Sequence, residues 1–68
     1  MKTSTRTAVR TARSVADDMI ADAREHGDSS LDKSYVIEHV VDSLAESPAF
    51  ADEVVRAVAA RGFLNKYN

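Results

Sequence analysis

Apolar residues along this chain recur every three or four positions in three stretches, separated by turn-forming residues. In the first stretch Ala8, Val9, Ala12, Val15, Ala16, Met19, Ile20 and Ala23 fall on one arc of a helical wheel. That spacing marks an amphipathic α-helix. Thr3, Ser4 or Thr5 can cap its start, and Gly27 can take the left-handed conformation that ends it. The pattern predicts a long helix over residues 5–26.

In the second stretch Val36, Ile37, Val40, Val41 and Leu44 lie on one arc, opposite Tyr35, Glu38, His39, Asp42 and Glu46. The β-branched run from Tyr35 to Val41 would suit a strand locally. The apolar pairs at 36/37 and 40/41, followed by Leu44, fit the helical period better than alternation. A helix over about 31–46 follows, capped by Ser30 or Asp32. The third stretch opens with Ser47 as a cap and Pro48 at the first helical position, where a missing amide hydrogen does no harm. Phe50, Val54, Val55 and Val58 form its apolar face, and Gly62 ends a helix over about 48–61. Phe63 and Leu64 stand where a contact back to the last turn often forms, and the tail 65–68 is expected to be loose.

The expected fold is therefore a single all-α domain over residues 1–68, with a long N-terminal helix and a short helical hairpin packed on it. Its predicted core is Val9, Met19, Ile20, Val36, Ile37, Val40, Val41, Leu44, Phe50, Val54, Val55 and Val58. Leu44, Val40 and Phe50 are expected to be its anchors.

Composition changes this picture in one respect. Eleven of the 68 residues are alanine and none is cysteine. A chain this short buries only about 60% of its unfolded surface, and its core supplies few net kcal/mol. With disulfides excluded, self-association into a homodimer is the expected reinforcement.

Charge is distributed unevenly. Residues 1–13 carry Lys2, Arg6, Arg10 and Arg13 without an acid, a charge of +4. Residues 14–55 carry all eleven acids against Arg24 and Lys33, or −9, and residues 56–68 carry Arg56, Arg61 and Lys66, or +3. If the first helix reaches back far enough, Lys2, Arg6, Arg10 and Arg13 share one face that could bind an acidic protein or a phosphate backbone. The ordinary alternative is that ends and middle neutralise each other within the fold or across a dimer, with Arg13 paired to Asp17 one turn on.

Little else suggests chemistry. The acids 17, 18, 22, 25 and 28 lack a calcium-loop spacing and read as solubilising surface. His26 and His39 have no His or Cys at ligand spacing. There is no nucleophile-elbow motif and no glycine-rich phosphate loop. Neither catalysis, a metal nor a cofactor is expected. The longest apolar runs are far too short for a membrane span and no signal peptide is evident, so a cytoplasmic location is expected.

The function these features suggest is non-enzymatic binding of another protein. Such a chain could be an adaptor, or an inhibitor of the kind phages and mobile elements use against host complexes such as CRISPR effectors. A small dimeric DNA-binding regulator of ribbon-helix-helix type, using the basic N-terminal segment, is the first alternative. A structural assembly subunit is the second. Protein is preferred over nucleic acid as partner, because the acidic middle of the chain would repel a polyanion.

Overall fold

The computed structural model describes residues 10–65. These form an all-α fold: α1 (Ala12–Glu25), α2 (Lys33–Glu38), which runs on as a π-helical segment (His39–Ser43), and α3 (Pro48–Ala60). No described helix is long and apolar enough to cross a membrane.

The first helix starts later than its apolar pattern suggests. Thr11 is extended, at φ −100° and ψ 157°, and acts as N-cap. Its hydroxyl accepts from the Ser14 amide at 3.0 Å, while its own amide donates to the Ser14 hydroxyl at 3.2 Å. This reciprocal pair satisfies two backbone amides and halts the helix just before Ala12. Ala8 and Val9, and with them the rest of the predicted helix before residue 10, lie outside the described residues.

Both glycines end helices as the sequence suggests. After α1, Gly27 has φ +84°, with Asp28 N–H donating to Ala23 O at 2.9 Å and Gly27 N–H to Arg24 O at 3.0 Å. After α3, Gly62 has φ +71°, with Phe63 N–H donating to Val58 O at 3.1 Å and Gly62 N–H to Ala59 O at 2.9 Å. Phe63 and Val58 are both buried, at the two positions where an apolar contact accompanies this cap. The start of α3 is also as expected, with the Ser47 hydroxyl accepting from the Phe50 amide at 3.1 Å and Pro48 in the first turn.

The second helix starts after Asp32, one of the two expected capping residues, and departs from the simple pattern at its far end. Asp32 is extended, at φ −82° and ψ 142°, and Leu31 before it is engaged elsewhere. Leu31 N–H donates to Phe63 O at 2.8 Å and Asn65 N–H donates to Leu31 O at 2.8 Å, forming an isolated parallel bridge between Leu31 and Leu64. The Asn65 side chain adds a 2.9 Å bond to Asp32 Oδ1. Asn65, expected to be loose, is thus fastened to the connection between α1 and α2, whereas residues 66–68 lie outside the described residues. At its far end the helix widens into the π segment, with Leu44 N–H donating five residues back to His39 O at 3.2 Å. Ala45 then takes φ +56°, and Glu46 N–H reaches Val40 O at 3.1 Å.

The hairpin of the second and third helices packs on the first helix, as expected, but through α3 alone. The third helix is central: α1 packs on α3, α2 and its π segment pack on α3, and the backbones of α1 and α2 do not approach each other closely. Val36, Val40, Val54 and Val58 are fully buried, and Met19, Ile20 and Val55 are buried with them. Ile37, Val41, Leu44 and Phe50 are only partly buried against this core, so Leu44 and Phe50 are not its anchors. The reason lies in the single neighbour of α2. Its Val36–Val40 ridge meets α3, while the adjacent Ile37–Val41 ridge has no second described helix to cover it. Leu31 and Phe63, brought together by the bridge, complete the core from the connecting segments. Val9, the remaining predicted core residue, lies outside the described residues.

Candidate functional site

The basic stripe predicted from spacing is not assembled among the described residues. Lys2 and Arg6 lie outside them. Arg10 precedes the Thr11 cap and is not helical. Its guanidinium lies 3.1 Å from Glu46 Oε2 and 3.5 Å from the Leu44 carbonyl, so it fastens the start of α1 to the end of the second helix. Arg13 stands exposed in the first turn of α1 and forms no ion pair among the described residues. Its expected partner, Asp17, instead accepts from Arg61 Nε at 2.6 Å. Two of the cations expected to bind or neutralise at long range are thus tied within the fold, Arg10 to Glu46 and Arg61 to Asp17.

The arrangement of the helices creates a different feature. Because α1 and α2 both pack on α3 without meeting, a cleft of about 690 Å³ remains between them. Its apolar lining is Met19, Ala23 and Leu31, all buried. Asp18 and Asp22, one helical turn apart on α1, line one side, and Asp28 and Asp32 on the connecting segment line its end. Tyr35 and His39 of the second helix line the other side, their rings stacked with centroids 6.2 Å apart and planes 20° from parallel. Among the described residues no lysine or arginine lines the cleft.

His26 stands at the same cleft, as C-cap of α1. Its Nδ1 lies 2.8 Å from the Asp22 carbonyl oxygen, which assigns a proton to that nitrogen. This bond is the main reason its pKa is raised above the ordinary 6.5, followed by the Asp22 carboxylate, 4.0 Å away, and more weakly by Asp28. Among the described residues no group of three or more His, Cys, Asp or Glu side chains converges to hold a metal ion.

An acidic border above an apolar lining suits an amphipathic cation. The aliphatic stem of a lysine or arginine can lie on Met19, Ala23 and Leu31 while its charge reaches the carboxylates. Of these acids, Asp18, Asp22 and Asp28 belong to the set whose spacing suggests only solubilising surface. The spacings Asp18–Asp22 and Tyr35–His39, each four residues, were the available signals that each pair shares a helix face. That the two faces border one cleft depends on α3 separating α1 from α2, which no local spacing encodes. Compared with known proteins, the chain matches no protein-family model, no curated protein and no solved structure.

Proposed function

We propose that this is a non-enzymatic binding protein whose cleft between α1 and α2 receives a cationic segment of a partner protein. The observation that carries the reading is the charge of the cleft: four aspartates line it, and among the described residues no lysine or arginine does. Elsewhere in the fold, Asp17 and Glu46 already have arginine partners. A cation entering the cleft is attracted by the carboxylates that line it, and its stem covers apolar surface. The acidic character that favours such a partner disfavours a DNA backbone. Of the cations that would have contacted phosphate, Arg10 lies before the Thr11 cap and is engaged with Glu46, and Arg13 lies beyond that cap on α1.

Calorimetric titration with a short mixed lysine–arginine peptide tests the reading. Binding should weaken with salt, as charge-dominated contacts do. The triple variant Asp18→Asn, Asp22→Asn, Asp28→Asn should lose most of the affinity without a lower melting temperature. A control that removes three acids outside the cleft, Glu25→Gln, Asp52→Asn, Glu53→Gln, should retain it. Equal losses in both variants would mean that only net charge attracts the peptide and would refute a defined site.

A further inference from the structure

Tyr35 is the one large apolar side chain that is strongly exposed among the described residues, at 50%. It stands on the rim of the cleft, stacked on His39 of the next turn. On the far side of this pair is a second, shallower depression bordered by Glu38 and Asp42. The two rings therefore form a ridge with carboxylates on both flanks, Asp28 and Asp32 among those on one side and Glu38 and Asp42 on the other. Among the described residues no lysine or arginine lines either depression.

From this geometry we infer that the partner side chain is an arginine and that Tyr35 selects it over lysine, the guanidinium lying flat on the Tyr35–His39 ridge between the flanking carboxylates. The inference rests on the cleft being a site for a cationic protein segment. Its physical basis is shape. A guanidinium is planar, weakly hydrated and able to stack on a ring while its edge N–H groups reach carboxylates on either side. An ammonium is a compact, strongly hydrated point charge that gains less from a flat aromatic surface. The same fold already uses this contact internally, with the Arg24 guanidinium carbon 5.4 Å from the centre of the Phe63 ring. The charge of the ridge's surroundings excludes an anionic occupant, and the exposed ring gives a cationic one a place to stack.

The test compares two blocked six-residue peptides, one of arginine and one of lysine, titrated calorimetrically at neutral pH and low salt. The parent should bind the arginine peptide at least about threefold more tightly, the ratio expected of an exposed cation–aromatic contact. Tyr35→Phe keeps the ring and should keep the preference. Tyr35→Ala should erase the preference, the arginine peptide losing more affinity than the lysine peptide. A thermal melt of each variant should match the parent, since Tyr35 is not part of the core. Equal binding of the two peptides to the parent, or a preference that survives Tyr35→Ala, overturns the role of the ring and leaves the cleft reading standing. Absence of binding by both peptides overturns both.

Discussion

The Asp17 carboxylate accepts from Arg61 Nε at 2.6 Å, joining the outer face of α1 to the end of α3 across 44 residues of chain. The local candidate for Asp17 was Arg13, one turn earlier on the same helix. The long-range partner is favoured because Arg61 is held in place by a second bond, from Nη1 to the Ala57 carbonyl at 3.2 Å. Both side chains are substantially exposed, 59% for Asp17 and 34% for Arg61. Asp17→Asn and Arg61→Gln should therefore each cost about 0.5 kcal/mol, less at high salt, and should not be additive. Arg13→Gln should leave stability unchanged. Urea melts of the three variants and the double variant check this. A loss for Arg13→Gln as large as that for Arg61→Gln would return Asp17 to its helical neighbour.

Val40 and Val41 offer a sharper contrast, since they are adjacent and lose the same atoms when truncated. Val40 is fully buried, whereas Val41 lies on the ridge that no second described helix covers. Val40→Ala should cost about 2 kcal/mol, from two lost methyl groups and the cavity they leave. Val41→Ala should cost less than about 1 kcal/mol, because less apolar surface returns to water and alanine is the better helix former. At about 4–8 °C per kcal/mol for a domain this small, thermal melts separate the two. Equal losses would mean that the Ile37–Val41 ridge is covered after all, for example by a second copy of the chain.

These two contrasts mark how far the sequence was legible. Three helices and their punctuation at Gly27, Ser47–Pro48 and Gly62 follow from local rules, because caps and turns act within a few residues. Thr11 could have been recognised as a cap, but Thr3, Ser4 and Thr5 carry the same chemistry. The repeated apolar spacing through Ala8 and Val9 favoured the earlier start. Val36 and Ile37 were indistinguishable by period, since only the position of α3 decides which ridge is buried. The clasp of Leu31 by Phe63 and Asn65, and the pairing of Arg10 with Glu46, join segments more than 30 residues apart. The cleft is of the same kind. Its aspartates are plain in the sequence, but their convergence with Tyr35 and His39 is a consequence of tertiary packing.

Ala45 is the one described non-glycine residue with positive φ, +56°. It follows the π segment at the position where glycine usually reverses the chain, while Glu46 N–H closes back on Val40 O at 3.1 Å. Its Cβ crowds the backbone in this conformation, at roughly 1 kcal/mol. Ala45→Gly should relieve that crowding and stabilise the fold by about 0.5 kcal/mol, the remainder being offset by the greater freedom of glycine in the unfolded chain. A melting temperature a few degrees above the parent's is expected. A lower one would show that the backbone at Ala45 does not hold the left-handed conformation.

His26 connects the pH dependence of folding to that of the cleft. Its Nδ1–H donates to the Asp22 carbonyl at 2.8 Å, at the C-terminal end of α1 where a positive charge also meets the helix dipole favourably. The protonated ring is thus better accommodated in the folded chain than in the unfolded one, and the folded pKa lies above 6.5. The stability this contributes is fully present below the unfolded pKa and is lost as pH rises through the folded value. As pH rises from below 6.5 through the raised folded value, the melting temperature of the parent should therefore fall relative to that of His26→Gln. The imidazole protons, followed by nuclear magnetic resonance, should titrate with a midpoint above 6.5. Asp22→Asn removes the carboxylate but keeps the carbonyl, so it should lower that midpoint only part of the way. Because His26 also lines the cleft, its protonation places a positive charge where a cationic peptide would bind. Peptide affinity should accordingly weaken as pH falls through the His26 midpoint, and His26→Gln should flatten that dependence. A midpoint at or below the ordinary value would remove the Asp22 carbonyl bond as its cause, and with it the expected pH dependence of both folding and binding.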